Sequence, residues 1–188
     1  MPVQFDDHPF WDFSLAVYGT AGVPPACLEL QERHGIDVNV LLFCAWNGAS
    51  GRGAMSEAEL RAALDAVAEW NGVVVCGMRA IRRRMKEGMP PVPMERSEAL
   101  RKVLMKLEVD CEHAEQLALA AAVERPADET IEPGRRAEDA VKNIAAYFAL
   151  HGAKTDEADA ANLATILAPA LSGVDREALR AMWRSAAA

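Results

Sequence analysis

Residues 10–47 read FWDFSLAVYGTAGVPPACLELQERHGIDVNVLLFCAWN, and the second half of this stretch decides the fold. Between Val38 and Trp46 the only polar residue is Asn39, so a helix over these positions turns apolar side chains in every direction around its axis. Such a helix is stable only where other elements enclose it. Asp37 suits its N-cap, and Ile36 and Leu41 fall at the N′ and N4 positions of a hydrophobic staple. Asn39 must find a hydrogen-bond partner, because a buried amide left unsatisfied costs about 1–3 kcal/mol.

Upstream, Pro9 in an opening turn and Asp12 near its free N–H groups predict a helix over 9–18, which Gly19 and Gly22 end. A second helix is predicted over 24–34, with Val23, Cys27 and Leu30 on one stripe and Gly35 as its left-handed stop. Seven of the eleven aromatic residues lie in the first 46 positions, so the N-terminal quarter supplies much of the large apolar surface.

Downstream, Gly48, Gly51 and Gly53 make a loose connector to Ser56, which forms a capping box with Glu59 ahead of Leu60, Leu64, Val67 and Trp70. Asn71-Gly72 is expected to end that helix, and Val74, Met78, Ile81 and Met85 to carry another over 73–86. Residues 88–93, GMPPVP, read as an extended spacer. One long helix is predicted over 97–123, with Leu100, Leu104, Leu107, Cys111, Ala114, Ala118 and Ala121 as its apolar seam. Three shorter helices follow: 135–151, 156–171 capped by Thr155, and 176–185 capped by Asp175, with Val174 and Leu179 as a staple. The expected fold is therefore all-α, an irregular bundle of about eight or nine helices with one long helix and a buried, apolar central helix. Two units are expected: a core over 5–124 and a helical extension over 133–188 packed on or beside it, with the Pro-punctuated segment 125–134 between them.

Composition narrows the function. The chain has 188 residues and a formal charge of −8, with one basic against six acidic residues in the first fifty. Nucleic acid is not an expected partner, since phosphate binding draws on a basic field that the chain lacks. Its apolar runs are far shorter than the roughly 20 residues that span a bilayer, and the start of the chain lacks a signal-peptide core. A cytoplasmic location with no membrane contact is the expectation. Cys27, Cys44, Cys76 and Cys111 show no C-x-x-C pair and read as four buried thiols.

No set of catalytic groups, metal cage or phosphate loop is legible, and no cofactor is expected. The connector GASGRG at 48–53 lacks both the Walker spacing with its Lys and the G-x-S-x-G pattern. Arg79, Arg82, Arg83 and Lys86 fall at i, i+3, i+4 and i+7 on one helix face, where guanidinium groups can grip carboxylate or phosphate. They form either a site for an anionic partner or a solvated face that pairs with the protein's own acidic helices. Glu108, Glu112 and Glu115 line up at i, i+4 and i+7, with Asp110 and His113 alongside. A di-metal site needs a matching set from facing helices, which is missing, so these residues read as a wet face rather than as metal ligands. Asp12, Tyr18, Glu29 and Asn39 could supply polar contacts to a pocket between the N-terminal helices.

The words FWDFSLAVY (10–18) and GVPPACLELQERHGIDVNVLLF (22–43), with Trp46, Trp70, the Arg-rich helix around 79–86 and the acidic stretch 108–116, resemble an uncharacterised bacterial family, a domain of unknown function. The resemblance spans about 10–119. It implies a small, cytoplasmic, mostly helical protein without an established activity, and it carries over no catalytic residue. The leading expectation is a non-enzymatic binding protein that engages a protein partner or a second copy of itself. The alternative is an enzyme or small-molecule binder with its pocket between the N-terminal helices.

Overall fold

The computed structural model describes residues 3–187. Nine α-helices make up the described chain: α1 Pro9–Tyr18, α2 Val23–His34, α3 Val38–Ala49, α4 Glu57–Glu69, α5 Cys76–Met85, α6 Met94–Ala122, α7 Pro133–Leu150, α8 Glu157–Leu167 and α9 Arg176–Ala186. A π-helical turn, Trp70–Val75, joins α4 to α5 without a break. No strand occurs among the described residues; an isolated bridge between Met89 and Val92 closes the turn before α6. No helix is long and apolar enough to cross a membrane among the described residues.

Helix α3 is the hub. Eleven of its twelve residues are buried, and Val38 alone is half-covered. Phe10 from α1 packs on Phe43 and Trp46 with ring centroids 5.4 and 5.1 Å apart, which ties the aromatic-rich first helix to the hub. On the opposite side α7 crosses α3 so closely that a Cβ on Gly48 would lie 2.1 Å from the backbone nitrogen of Ala140. The C-terminal helices thus close the same core: Ala137, Ile144, Phe148, Leu163 and Trp183 belong to one buried cluster with Phe10, Leu41 and Leu60. Helix α2 is clamped to α8 by polar bonds, because Arg33 reaches Asp156 and Asp159 at 2.7 Å and His34 Nε2 meets Asp159 at 2.9 Å.

Several local expectations need correction. Asn71-Gly72 does not end a helix: the backbone widens by one residue, the Cys76 N–H bonds to the Asn71 carbonyl, and the rod continues. Helix α6 begins at Met94, directly after Pro93. Its seam is not the expected one. Leu100 and Leu107 are exposed, whereas Ser97, Glu108, Glu115 and Gln116 face inward with Cys111 and Leu119. The cap of α8 is Asp156, whose carboxylate accepts from two N–H groups, Ala158 at 2.9 Å and Asp159 at 3.2 Å, and so outcompetes the Thr155 hydroxyl. That helix stops at Leu167, since Pro169 has no N–H to continue it, and a short 3₁₀ turn follows. Cys76 is exposed while the other three thiols are buried, because α5 is covered on one face only.

A cleft between the first and third helix pairs

Four α-helices and the start of α3 enclose a cleft of about 360 Å³. One wall is α1 and α2, the other is α5 and α6, and the N-terminal turn of α3 forms the floor. The cleft gathers residues nominated from separate arguments: Tyr18 and Asn39 from the proposed pocket, and Arg79, Arg82 and Arg83 from the basic face. Asp12 and Glu29 stand exposed and take no part in its lining, since each points off the outer side of its helix. Lys86 is exposed beyond the cleft.

The basic face is partly spent inside the fold. Arg79 donates to Glu108 at 3.1 Å and to Glu112 at 2.7 Å, and both Nε and Nη2 of Arg82 donate to Glu108. Glu108 is only 4% exposed. Burial opposes its ionisation, yet the hydrogen bonds from Arg82 and Arg79 outweigh that penalty and hold its carboxyl below the ordinary carboxylate value. Glu112 goes the other way, because burial outweighs Arg79 and pushes it up. The expected wet acidic face is therefore an internal one. Arg83, without an ion pair among the described residues, stays at the rim.

Beneath the floor runs a polar chain that the π turn completes. Asp37 caps α3 by accepting from the Asn39 N–H at 2.8 Å, and its other oxygen accepts from Asn71 Nδ2 at 2.7 Å. Tyr147 from α7 accepts from the Asp37 N–H at 2.8 Å. Asn39 Nδ2 donates to Glu115 at 2.7 Å, and Gln116 Nε2 donates to Asn39 Oδ1 at 2.9 Å. The partner that buried Asn39 required is thus a carboxyl and an amide from α6. Trp70, at the head of the π turn, donates its indole N–H to the Cys111 carbonyl at 3.0 Å. Sequence reading missed Asp37 as a hub, along with Asn71 and Glu115. The only available signal was an Asn-Gly pair in a segment otherwise of helical period, which reads equally well as a stop.

Glu115 is fully buried, and its carboxyl is pushed up to about 9 by burial and by the neighbouring Asp37 charge. The folded chain therefore keeps a proton on this group through the pH range above about 4.5 in which the unfolded chain has released it. Stability must fall as pH rises across that window, because the native state binds the extra proton. Glu115→Gln keeps an acceptor for Asn39 and a donor for Asp37 without needing a proton. Urea unfolding at pH 5 and pH 8 is expected to show that the variant gains on the order of 2 kcal/mol relative to the native chain between those values. Parallel pH profiles for the two proteins would mean that Glu115 is ionised in the fold.

His113 stacks on Trp11 with centroids 4.0 Å apart, away from the Arg79 pairing of Glu112. Among the described residues no group of three or more His, Cys, Asp or Glu side chains is placed to hold a metal ion.

Fold and cleft together define an all-α protein built around an enclosed central helix, with an apolar-rimmed cleft over a polar floor. The chain belongs to the family described as Protein of unknown function (DUF2390), which matches residues 9–119 and so takes in every helix that lines the cleft. Comparison with curated proteins finds no match, and comparison with solved structures finds none either.

Proposed function

We propose that the chain is a non-catalytic binding module that receives an acidic partner protein in the cleft between α1–α2 and α5–α6. The observation that carries this reading is the rim. Leu15, Tyr18, Leu28, Met105 and Val109 converge there from three helices and remain 37–53% exposed. A contiguous apolar surface of this kind bordered by charge is the usual mark of an interaction site. The charge at this border favours an acidic partner. Arg79 and Arg82 are spent on Glu108 and Glu112, but Arg83 and Lys86 have no ion pair among the described residues, so the end of α5 offers exposed positive charge on a chain whose formal charge is −8. The same charge disfavours pairing of two copies through the α5–α6 hairpin. A cytoplasmic location fits the four unpaired cysteines.

A second reading, a small-molecule pocket or an enzyme site in the same cleft, draws support from its volume, which lies in the range of ligand sites of roughly 300–1,000 Å³.

Reversing Arg79 and Arg82 would not test the proposal, because those side chains hold Glu108. Arg83→Glu with Lys86→Glu, and separately Val109→Glu, change exposed groups only. In capture from an extract of the native cell, the native chain is expected to retain one acidic protein in near-stoichiometric amount. Retention should fall at least tenfold with either variant at unchanged circular dichroism, about 1.4 kcal/mol of binding free energy. Equal retention by all three chains refutes the reading, as does a native homodimer that the same substitutions dissociate.

A further inference from the structure

The polar chain under the cleft has a direction, and the direction fixes what the floor offers. Glu115 Oε2 accepts from Asn39 Nδ2, and Glu115 Oε1 has no other hydrogen-bond partner and lies beside the Asp37 carboxylate. A proton on Oε1 directed at Asp37 satisfies both oxygens. Asn39 has then spent its amide nitrogen on Glu115, so its Oδ1 must accept, and it accepts from Gln116 Nε2. Gln116 is thereby held with its carbonyl oxygen left over. That residue lines the cleft, is 3% exposed, and its Oε1 has no partner among the described residues. A buried acceptor at the end of a chain of aligned hydrogen bonds is polarised by them, and leaving it unpaired is costly.

We propose that the cleft reads a neutral hydrogen-bond donor carried on a flat apolar body, and that the anchor of the partner is a tryptophan whose indole N–H donates to Gln116 Oε1. This rests on the binding reading above and names the group that fills the cleft. The walls suit an aromatic body, since Leu15, Leu28 and Val109 supply apolar contact and the Met105 thioether packs well against ring edges. Arg79, Arg82 and Arg83 share the lining with Asp37, Glu108 and Glu112, so charge is balanced within the cleft and neither sign of head is called for, and an acceptor-only head such as a carboxylate would face the Gln116 oxygen. Tryptophan joins a large apolar area to one N–H donor, which is why it so often forms the centre of an interface. The anchor must come from another molecule. Trp46 and Trp183 are buried, Trp70 has committed its N–H to Cys111, and Trp11 is stacked on His113 in the wall itself.

The test uses the whole chain and two probes, N-acetyl-tryptophanamide and its 1-methylindole analogue, followed by amide chemical shifts. Both probes are expected to shift the signals of Leu15, Leu28, Val109 and the Gln116 side chain. The methylated probe, which lacks the donor, should bind about tenfold more weakly. Gln116→Met should bring the two affinities together. Equal binding of both probes in the native chain overturns the donor assignment while the cleft stands as an apolar receptor. A cleft that neither probe perturbs overturns this inference, while the binding reading stands or falls with the capture experiment above.

Discussion

A Gly48→Ala chain is expected to lose about 3 kcal/mol or more of folding stability, in the upper part of the overpacking range. The added Cβ would sit 2.1 Å from the Ala140 nitrogen and 2.3 Å from its Cα, both backbone atoms of α7 that cannot rotate aside as a side-chain tip can. Relief requires α3 and α7 to move apart, and that separation opens the dense packing around Phe43, Ile144 and Tyr147. Gly77 is the control. It lies in α5 with nothing within 4 Å of an added Cβ, so Gly77→Ala should stabilise by about 0.5–1 kcal/mol through the lower entropy of the unfolded chain. Urea midpoints for the two variants should therefore move in opposite directions. A Gly48→Ala unfolding free energy within about 0.5 kcal/mol of the native value would show that the two helices do not cross as closely as described.

The second large effect is at the hairpin. Replacing Arg79 and Arg82 together with Ala strands Glu108, a carboxylate 4% exposed that then has neither cation. Breaking a fully buried pair costs about 3–5 kcal/mol, and the arginine side chains here are 18% and 19% exposed, so about 3 kcal/mol is expected at neutral pH. In the native chain the two guanidinium groups hold Glu108 below its ordinary value. The stability they confer is therefore present above the unfolded carboxylate value and is lost as pH falls through the folded one. The deficit of the double variant should accordingly shrink as pH falls, because its stranded, buried carboxyl takes up a proton before the Arg-paired carboxyl of the native chain does. Adding Glu108→Leu should recover most of the loss, because the cost lies in the unpaired charge rather than in missing contact. If the triple variant is no more stable than the double, the ion pairs act mainly through packing of the arginine stems. Either way α5 depends on this attachment, since it packs chiefly on α6 and the π turn. The wall of the cleft is thus set by buried electrostatics, and a binding surface built on it inherits that dependence.

The long helix shows why part of the site was hidden. Leu100, Leu107 and Cys111 lie on one inclined row of α6, and Ser97, Glu108 and Glu115 lie on a neighbouring row of the same period. Hydropathy alone chooses the leucines. The fold chooses the carboxyls, because Arg79, Arg82 and Asn39 wait opposite them and offset the cost of their burial. Those partners lie 29 to 76 positions away for Arg79 and Asn39, a separation at which helical period says nothing. The residues left outside, Leu100 at 59% and Val103 at 64%, are exposed as a result.

From the order of its residues the chain specified what local physics can specify. It marked the all-helical character, the caps at Asp37, Ser56 and Asp175, the stop at Gly35, and the placement of α3 at the centre, which followed from having no polar face to turn toward water. Three-dimensional packing decided the π turn that brings Asn71 to Asp37, the inward face of α6, and the meeting of Tyr18 and Asn39 with Arg79 and Arg82 in one cleft. Caps and amphipathic stripes are read over a turn or two of chain, whereas a buried carboxyl or amide is stable only against a partner that distant helices supply.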